Sequence, residues 1–237
     1  MDKLFLDGIY NQTTLDNILK KLGSPEKAPY TQNIVRSNLK VLAVKSQDIK
    51  DVVKSISKDA YISLLDNMNF EYYEDTLVYA GVMSKQKDFK TLKKYLDKYT
   101  SAVDCWASVD TMKFSLKSPS DKEKLLSLAV NYTKSAKPYV RRSGYKIMFD
   151  YISSSIDTIF ACIKDSYSEQ EYYVNMIIAW LLCECFVKNR DKTLAFAKST
   201  ELNDFVLRKF VSKCHDSYRV TNEDKELLTA LKNSKLK

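Results

Sequence analysis

The sequence predicts an all-α protein, an α-solenoid of stacked antiparallel helix pairs, and three observations carry that prediction. Glycine and proline are scarce: only four of each occur in 237 residues, against roughly 17 and 12 at average usage. A β-sandwich or barrel needs a Gly- or Pro-rich turn every ~8–12 residues, and a Rossmann or P-loop fold needs glycines at its phosphate loop. The count argues against both. Helix signals recur without a break along the chain, which reads as about fourteen helices with no convincing strand. Finally, the apolar pattern repeats with a period of 34–36 residues, the signature of stacked two-helix units.

In chain order, Ser46 ahead of QDIKDVVKSI reads as a helix start, a capping residue before acids and a 3.6-period apolar pattern. The connections KQKD, SPSD and KSAK are only a few residues long, which favours antiparallel neighbours. Ser101 before AVDCWASVD, Ser120 before DKEKLLSLAV and Thr221 before NEDKELLTAL read as further starts. Pro138 fits the first turn of a helix through YVRRSGYKIMFDYI. The stripe Val140, Gly144, Ile147, Met148, Tyr151 recurs 34 residues later as Val174, Ile178, Leu181, Leu182, Cys185. One repeat earlier it is Cys105, Val109, Met112, Leu116, and the partner helices place Leu92, Leu126, Phe160 and Leu194 each 34 apart. The whole chain, 1–237, reads as one repeat domain whose stacked pairs present a concave surface.

Hydrophobic residues make up 45% and charged residues 29% of the chain, a globular composition. A chain of this length buries roughly 70% of the surface its unfolded form exposes and needs no staples. The five cysteines (Cys105, Cys162, Cys183, Cys185, Cys214) show no C-x-x-C spacing and read as reduced core residues of a cytoplasmic protein. With one histidine, His215, no metal site is expected. MDKLFLDGIY carries acids among its apolar residues and is read as lacking a signal-peptide core. The longest apolar run, Met176–Cys183, is far short of the ~20 residues that span a bilayer, so no membrane association is expected. The net charge of +8 reads either as a solubilising surface or as the footprint of a polyanion partner.

Residues off the buried stripes are the functional candidates. Trp106 and Asp110 stand i, i+4 on one helix face, about 90–130° round from the stripe centre at ~100° per residue. Arg141 and Arg142 lie off the next stripe and Trp180 off the one after. A tryptophan so placed packs under a neighbouring repeat or lines a groove, and a lone surface Asp or Arg is ordinarily just solvated. Their grouping in three successive first-of-pair helices favours one functional strip. Tyr72–Tyr73 and Tyr172–Tyr173, near helix starts, read first as core and second as groove lining. Nucleophilic catalysis through His215 and Cys214 has no elbow motif to support it, and adjacent side chains on a helix diverge. No motif marks a Schiff-base lysine.

The sequence resembles the DNA alkylation repair family of HEAT-like-repeat alkylpurine DNA glycosylases, over most of the chain and most clearly from Lys87 to Phe210. The carrying segments are Cys105-Trp106-Ala107-Ser108-Val109-Asp110, similar to the family's W-x-x-V-D; Val140-Arg141-Arg142-Ser143-Gly144, similar to its Arg before small residues; and Ile178-Ala179-Trp180-Leu181-Leu182-Cys183-Glu184, similar to its I-G-W-x-L-R-E. The resemblance implies a concave DNA-binding face, Asp110 as catalytic carboxylate, Trp106 and Trp180 as aromatic walls, and Arg142 as a phosphate contact. Arg141 fits the spacing to Trp180 slightly better, so both arginines stand, with Arg142 preferred. The chain departs from the family at Cys105, at Cys183 and near Ile34, where a tyrosine is expected and Tyr30 lies one turn away.

The implied partner is duplex DNA containing alkylated bases, the implied cofactor none, and the expected state a monomer. The chemistry suits so sparse a site. An N3- or N7-alkylated purine is cationic and leaves readily, while a fixed carboxylate stabilises the charge that develops on the sugar. Two other readings remain: a catalytically weak DNA-binding paralogue of the same fold, and a helical-repeat scaffold that binds protein.

Overall fold

The computed structural model describes residues 11–236; the expectation for MDKLFLDGIY lies outside them. The described residues form fourteen α-helices and no strand, and an isolated bridge joins Lys40 and Tyr72. None of these helices is long and apolar enough to cross a membrane. By its packing the chain divides into two compact units, Met1–Leu125 and Leu126–Lys237.

The first unit holds α1 (Gln12–Leu22), α2 (Ala28–Val35), α3 (Ser46–Ser55), α4 (Tyr61–Asn67), α5 (Tyr73–Met83), α6 (Phe89–Ala102), α7 (Trp106–Asp110) and the start of α8 (Pro119–Tyr132). Helix α5 is its centre, packing on α3, α4, α6 and α7. It is buried nearly all round, from Tyr73 to Met83, which is why its apolar residues show no single stripe. Tyr79 stacks on Tyr99 of α6 with ring centroids 5.7 Å apart. Gly81 lets α3 close on α5, because a Cβ there would stand 2.6 Å from Val53 Cγ2.

The second unit holds the rest of α8, then α9 (Pro138–Met148), α10 (Ile156–Asp165), α11 (Tyr172–Lys188), α12 (Arg190–Ser199), α13 (Asp204–Asp216) and α14 (Asn222–Lys235). Helix α11 packs on α9 and α13 and on its own partner α12, and α13 packs on α14. The predicted stripes are the buried ones: Val140, Gly144, Ile147, Met148 and Tyr151, then Val174, Ile178, Leu181, Leu182 and Cys185. All five cysteines are buried and free.

Several local expectations change. Thr221 caps α14, accepting from Asp224 N at 3.2 Å, and Pro138 takes the first position of α9. Ser46, however, is the first residue of α3 behind Lys45, and Ser120 lies inside α8 behind Pro119, whose fixed φ suits the first helical position. Ser101 belongs to the last turn of α6, because extended backbone at Val103 and Cys105 separates that helix from α7. At α8 Leu125, not Leu126, takes the fully buried position. Tyr72 and Tyr73 are core as read, but Tyr172 is 51% exposed.

Candidate functional site

Trp106 and Asp110 are the first and last residues of α7, a helix of little more than one turn. Alone, so short a piece is unstable in water, so its geometry is imposed from outside. Ser108, fully buried, supplies the anchor. Its hydroxyl lies 2.6 Å from Thr76 Oγ1 of α5 and 3.2 Å from Cys105 Sγ. Its carbonyl accepts from Tyr99 OH at 2.8 Å and from Thr111 Oγ1 at 2.7 Å.

The Thr111 N–H donates to the same carbonyl at 3.3 Å, and the helix ends here. In a continuing α-helix the Ser108 carbonyl would receive Met112 N–H; instead Met112 N turns to Val109 O at 3.2 Å. The chain therefore leaves the helix after Asp110, although Met112 and Leu116 remain buried as the stripe predicted. Cys105, just ahead of the helix, packs against Val35 and Tyr73.

On the outer side of α7, Trp106 is half-buried, and its Nε1 donates to the Ile34 carbonyl of α2 at 3.2 Å. The indole is thus held against the helix that carries Tyr30, 71% exposed, and Ile34. Asp110 is half-buried. The phenol of Tyr73 is pushed well above its ordinary value, by burial first and then by the charges of Cys105, Glu74 and Asp110. The Asp104 carboxylate fixes the approach to α7, accepting from Ser37 Oγ at 2.7 Å and Asn38 N at 2.5 Å.

The other three predicted residues lie in the second unit. Trp180 is half-buried on α11, its ring 4.6 Å from Phe149 and tilted 60° to it. Lys146 Nζ stands over both rings, 5.9 Å from Trp180 and 5.3 Å from Phe149, a cation–π arrangement. One turn along, Glu184 pairs with Arg219 at 2.5 and 3.0 Å. Arg219 first, with the Trp180 indole N–H adding, holds that carboxyl below its usual range.

Both arginines are engaged within the protein. Arg141 forms a fork with Glu169, at 2.7 and 3.0 Å, and donates to the carbonyls of Ser135 and Ala136. Arg142 is only 4% exposed and donates to the Tyr173 carbonyl. Cys105 and Cys183, two of the three departures, are buried.

Sequence reasoning missed Ser108, Thr76 and Tyr99, whose hydroxyls build the seat of α7. The available signal was a serine between Trp106 and Asp110 on the inward side of the turn, with no apolar side chain to bury. Among the described residues no group of His, Cys, Asp or Glu is arranged to hold a metal ion. No curated protein matches the chain. The sequence model of the DNA alkylation repair enzyme family does match, over residues 15–213, and the chain belongs to that family.

Proposed function

We propose that this DNA repair enzyme is a glycosylase that releases cationic N3- and N7-alkylated purines from duplex DNA, with Asp110 as its catalytic carboxylate. The observation that carries the reading is the construction of α7. A five-residue helix with a carboxylate at one end and an anchored indole at the other is held by the buried hydroxyls of Ser108, Thr76 and Tyr99 and the buried thiol of Cys105. A charge that must meet a reacting sugar needs a rigid support, and the seat of α7 supplies one.

In this reading the leaving base carries its own positive charge, so no strong general acid is needed. As the glycosidic bond lengthens, positive charge grows on the deoxyribose, and the Asp110 carboxylate stabilises it. The same carboxylate orients the attacking water. The indole face of Trp106 favours cationic groups by about 0.5–2 kcal/mol; that of Trp180 already carries Lys146. Recognition runs through the DNA backbone and the charge of the lesion rather than base sequence. Stacked HEAT-like pairs with a concave DNA-facing side are supported by the packing of α9, α11 and α13 side by side within the second unit. Arg142 serves as a phosphate contact only if its guanidinium leaves the Tyr173 carbonyl; Arg141, spent on Glu169, is the weaker candidate of the two. Cys105 and Cys183 are buried, so the departures they represent leave the outer sides of α7 and α11 intact.

The test is release of 3- or 7-methylpurine from methylated duplex DNA by the wild-type protein and by Asp110→Asn. Wild-type release that falls at least a hundredfold in the variant, with DNA binding retained, is the expected result; oxyanion-type electrostatic groups removed singly cost ~10²–10³ in rate. No release by the wild-type protein refutes the assignment and leaves the DNA-binding paralogue.

A further inference from the structure

Helices α11 and α13 pack against each other in the second unit, and their contact holds a pair of thiols that the site on α7 does not use. Cys183 of α11 is 3% exposed and Cys214 of α13 is fully buried; both are free. The register between the two helices is pinned on either side of this pair. Near the helix starts, Tyr172 meets Phe205 with ring centroids 5.5 Å apart. Farther along, Phe186 meets Phe210 at 6.2 Å. Glu184, the residue after Cys183, reaches past the end of α13 to its fork with Arg219.

Within that frame the two thiols are hydrogen-bonded to each other, and the bond acts on them in opposite directions. It holds Cys183 below the usual thiol range, helped by Arg219 and Lys213 against burial and the charge of Glu184. Cys214 is pushed far up, by the same bond first and by burial second. Of the five cysteines Cys183 alone is lowered: burial raises Cys105 and Cys162 and lifts Cys185 to about 12. Cys185 also stands i, i+2 from Cys183, so the two do not share a side of α11. The thiolate is the attacking form of cysteine, and an easily ionised thiol beside a second, resolving thiol is the arrangement of a redox-sensing pair. At 3% exposure Cys183 is open only to a small oxidant.

We infer that Cys183 and Cys214 are a redox-modification site, joined by hydrogen peroxide into a reversible disulfide that clamps α11 to α13. The Cys183 thiolate attacks one peroxide oxygen and the O–O bond breaks, leaving a sulfenic acid on Cys183 and a hydroxide that takes up the thiol's proton as water. The Cys214 sulfur then attacks the sulfenic sulfur. The S–O bond breaks, and its OH leaves with the Cys214 proton as a second water. The two thiols together give up two electrons, and one peroxide is reduced to two waters. The bond ties the turn of α11 from Trp180 to Glu184 onto α13. It does not rest on the DNA reading above.

The experiment is hydrogen peroxide treatment of the folded wild-type protein, removal of the excess, then thiol counting in denaturant and tryptic mapping of the blocked, unreduced protein. The count is expected to fall from five to three and to return to five with dithiothreitol. The map is expected to show the peptide ending at Lys188 joined to the peptide beginning at Cys214, two hydrogens lighter than their sum. The first of these peptides also holds Cys185, so two variants identify the partner. Cys183→Ser is expected to keep its four thiols, whereas Cys185→Ser falls from four to two.

Five thiols remaining after treatment overturn the inference. So does a link between any other two cysteines, or a loss of thiols that dithiothreitol does not reverse. The wild-type count and map decide the matter even where a serine variant fails to fold. No DNA enters the experiment, so its outcome and that of the Asp110 assay are read separately.

Discussion

Asp75, at the first turn of α5, offers a sharp test of the packing. It is fully buried, and one oxygen, Oδ2, accepts from Tyr72 N at 2.8 Å and Glu71 N at 3.0 Å. The other, Oδ1, is buried without a hydrogen-bond partner among the described residues. The two N–H donors favour the charged form, while burial and the charges of Asp16 and Glu74 oppose it. Burial wins, raising the carboxyl from 3.8 to about 6. At ~1.4 kcal/mol per tenfold change in proton affinity, that gap is worth about 3 kcal/mol. The sign follows from proton counting. Between 3.8 and about 6 the folded protein binds the proton that the unfolded chain has lost, so stability falls as pH rises through this window and is flat above it. Asp75→Asn keeps an oxygen for Tyr72 and Glu71 but cannot ionise. Urea unfolding of both proteins from about pH 4 to pH 7.5 isolates the effect, because titrations not coupled to Asp75 cancel in the difference. The variant should gain about 2–3 kcal/mol on the wild type across that range. A constant difference, or one of opposite slope, would show that the two backbone donors outweigh burial, and the reasoning would fail.

Two further substitutions probe close contacts. Gly144→Ala places a Cβ 2.6 Å from the Ala129 carbonyl oxygen and 2.9 Å from Thr133 N, backbone atoms that cannot swing aside; the overpacking cost of ~1–3 kcal/mol should outweigh the ~1 kcal/mol of helix propensity gained and lower the melting temperature by a few degrees. A melt at or above the wild-type value would mean that α8 and α9 have room between them. Trp106→Phe keeps an aromatic face but removes the donor to Ile34 O, with an expected loss of about 0.5–1.5 kcal/mol in urea unfolding; full wild-type stability would show that the bond does not anchor the indole.

What the sequence reveals of the fold is what short-range chemistry decides. Pro138 and Thr221 start helices because one residue's own dihedral or hydroxyl is sufficient to start them. The stripes from Val140 and Val174 are buried because a 3.6-residue period puts those positions on one face. Tyr172 is misread for a complementary reason. At the first position of α11 its ring leans beyond the stripe, against Phe205 at 5.5 Å and Tyr173 at 5.1 Å, and half of it stays in solvent. Arg141 and Arg142 look like free surface cations in sequence because their partners are remote. Glu169 is 28 positions from Arg141, and the Tyr173 carbonyl is 31 from Arg142.

The same division runs through the candidate site. The i, i+4 spacing of Trp106 and Asp110 is a local fact, visible as soon as the segment is read as helix. That the helix stops at Asp110 is not local. The Ser108 carbonyl, which Met112 N–H would reach in a longer helix, instead accepts from Thr111 N–H and from the hydroxyls of Tyr99 and Thr111. A chain that ran on as helix through Met112 and Leu116 would keep the same stripe, yet Thr111 and Lys113 would turn with that helix instead of lining a groove beside α3 and α5. Thr111 and Lys113 therefore reach that groove because the chain leaves the helix after Asp110. Tyr99→Phe removes one donor to the Ser108 carbonyl and keeps the ring that stacks on Tyr79, which separates the hydroxyl's part in seating α7 from the ring's part in the core.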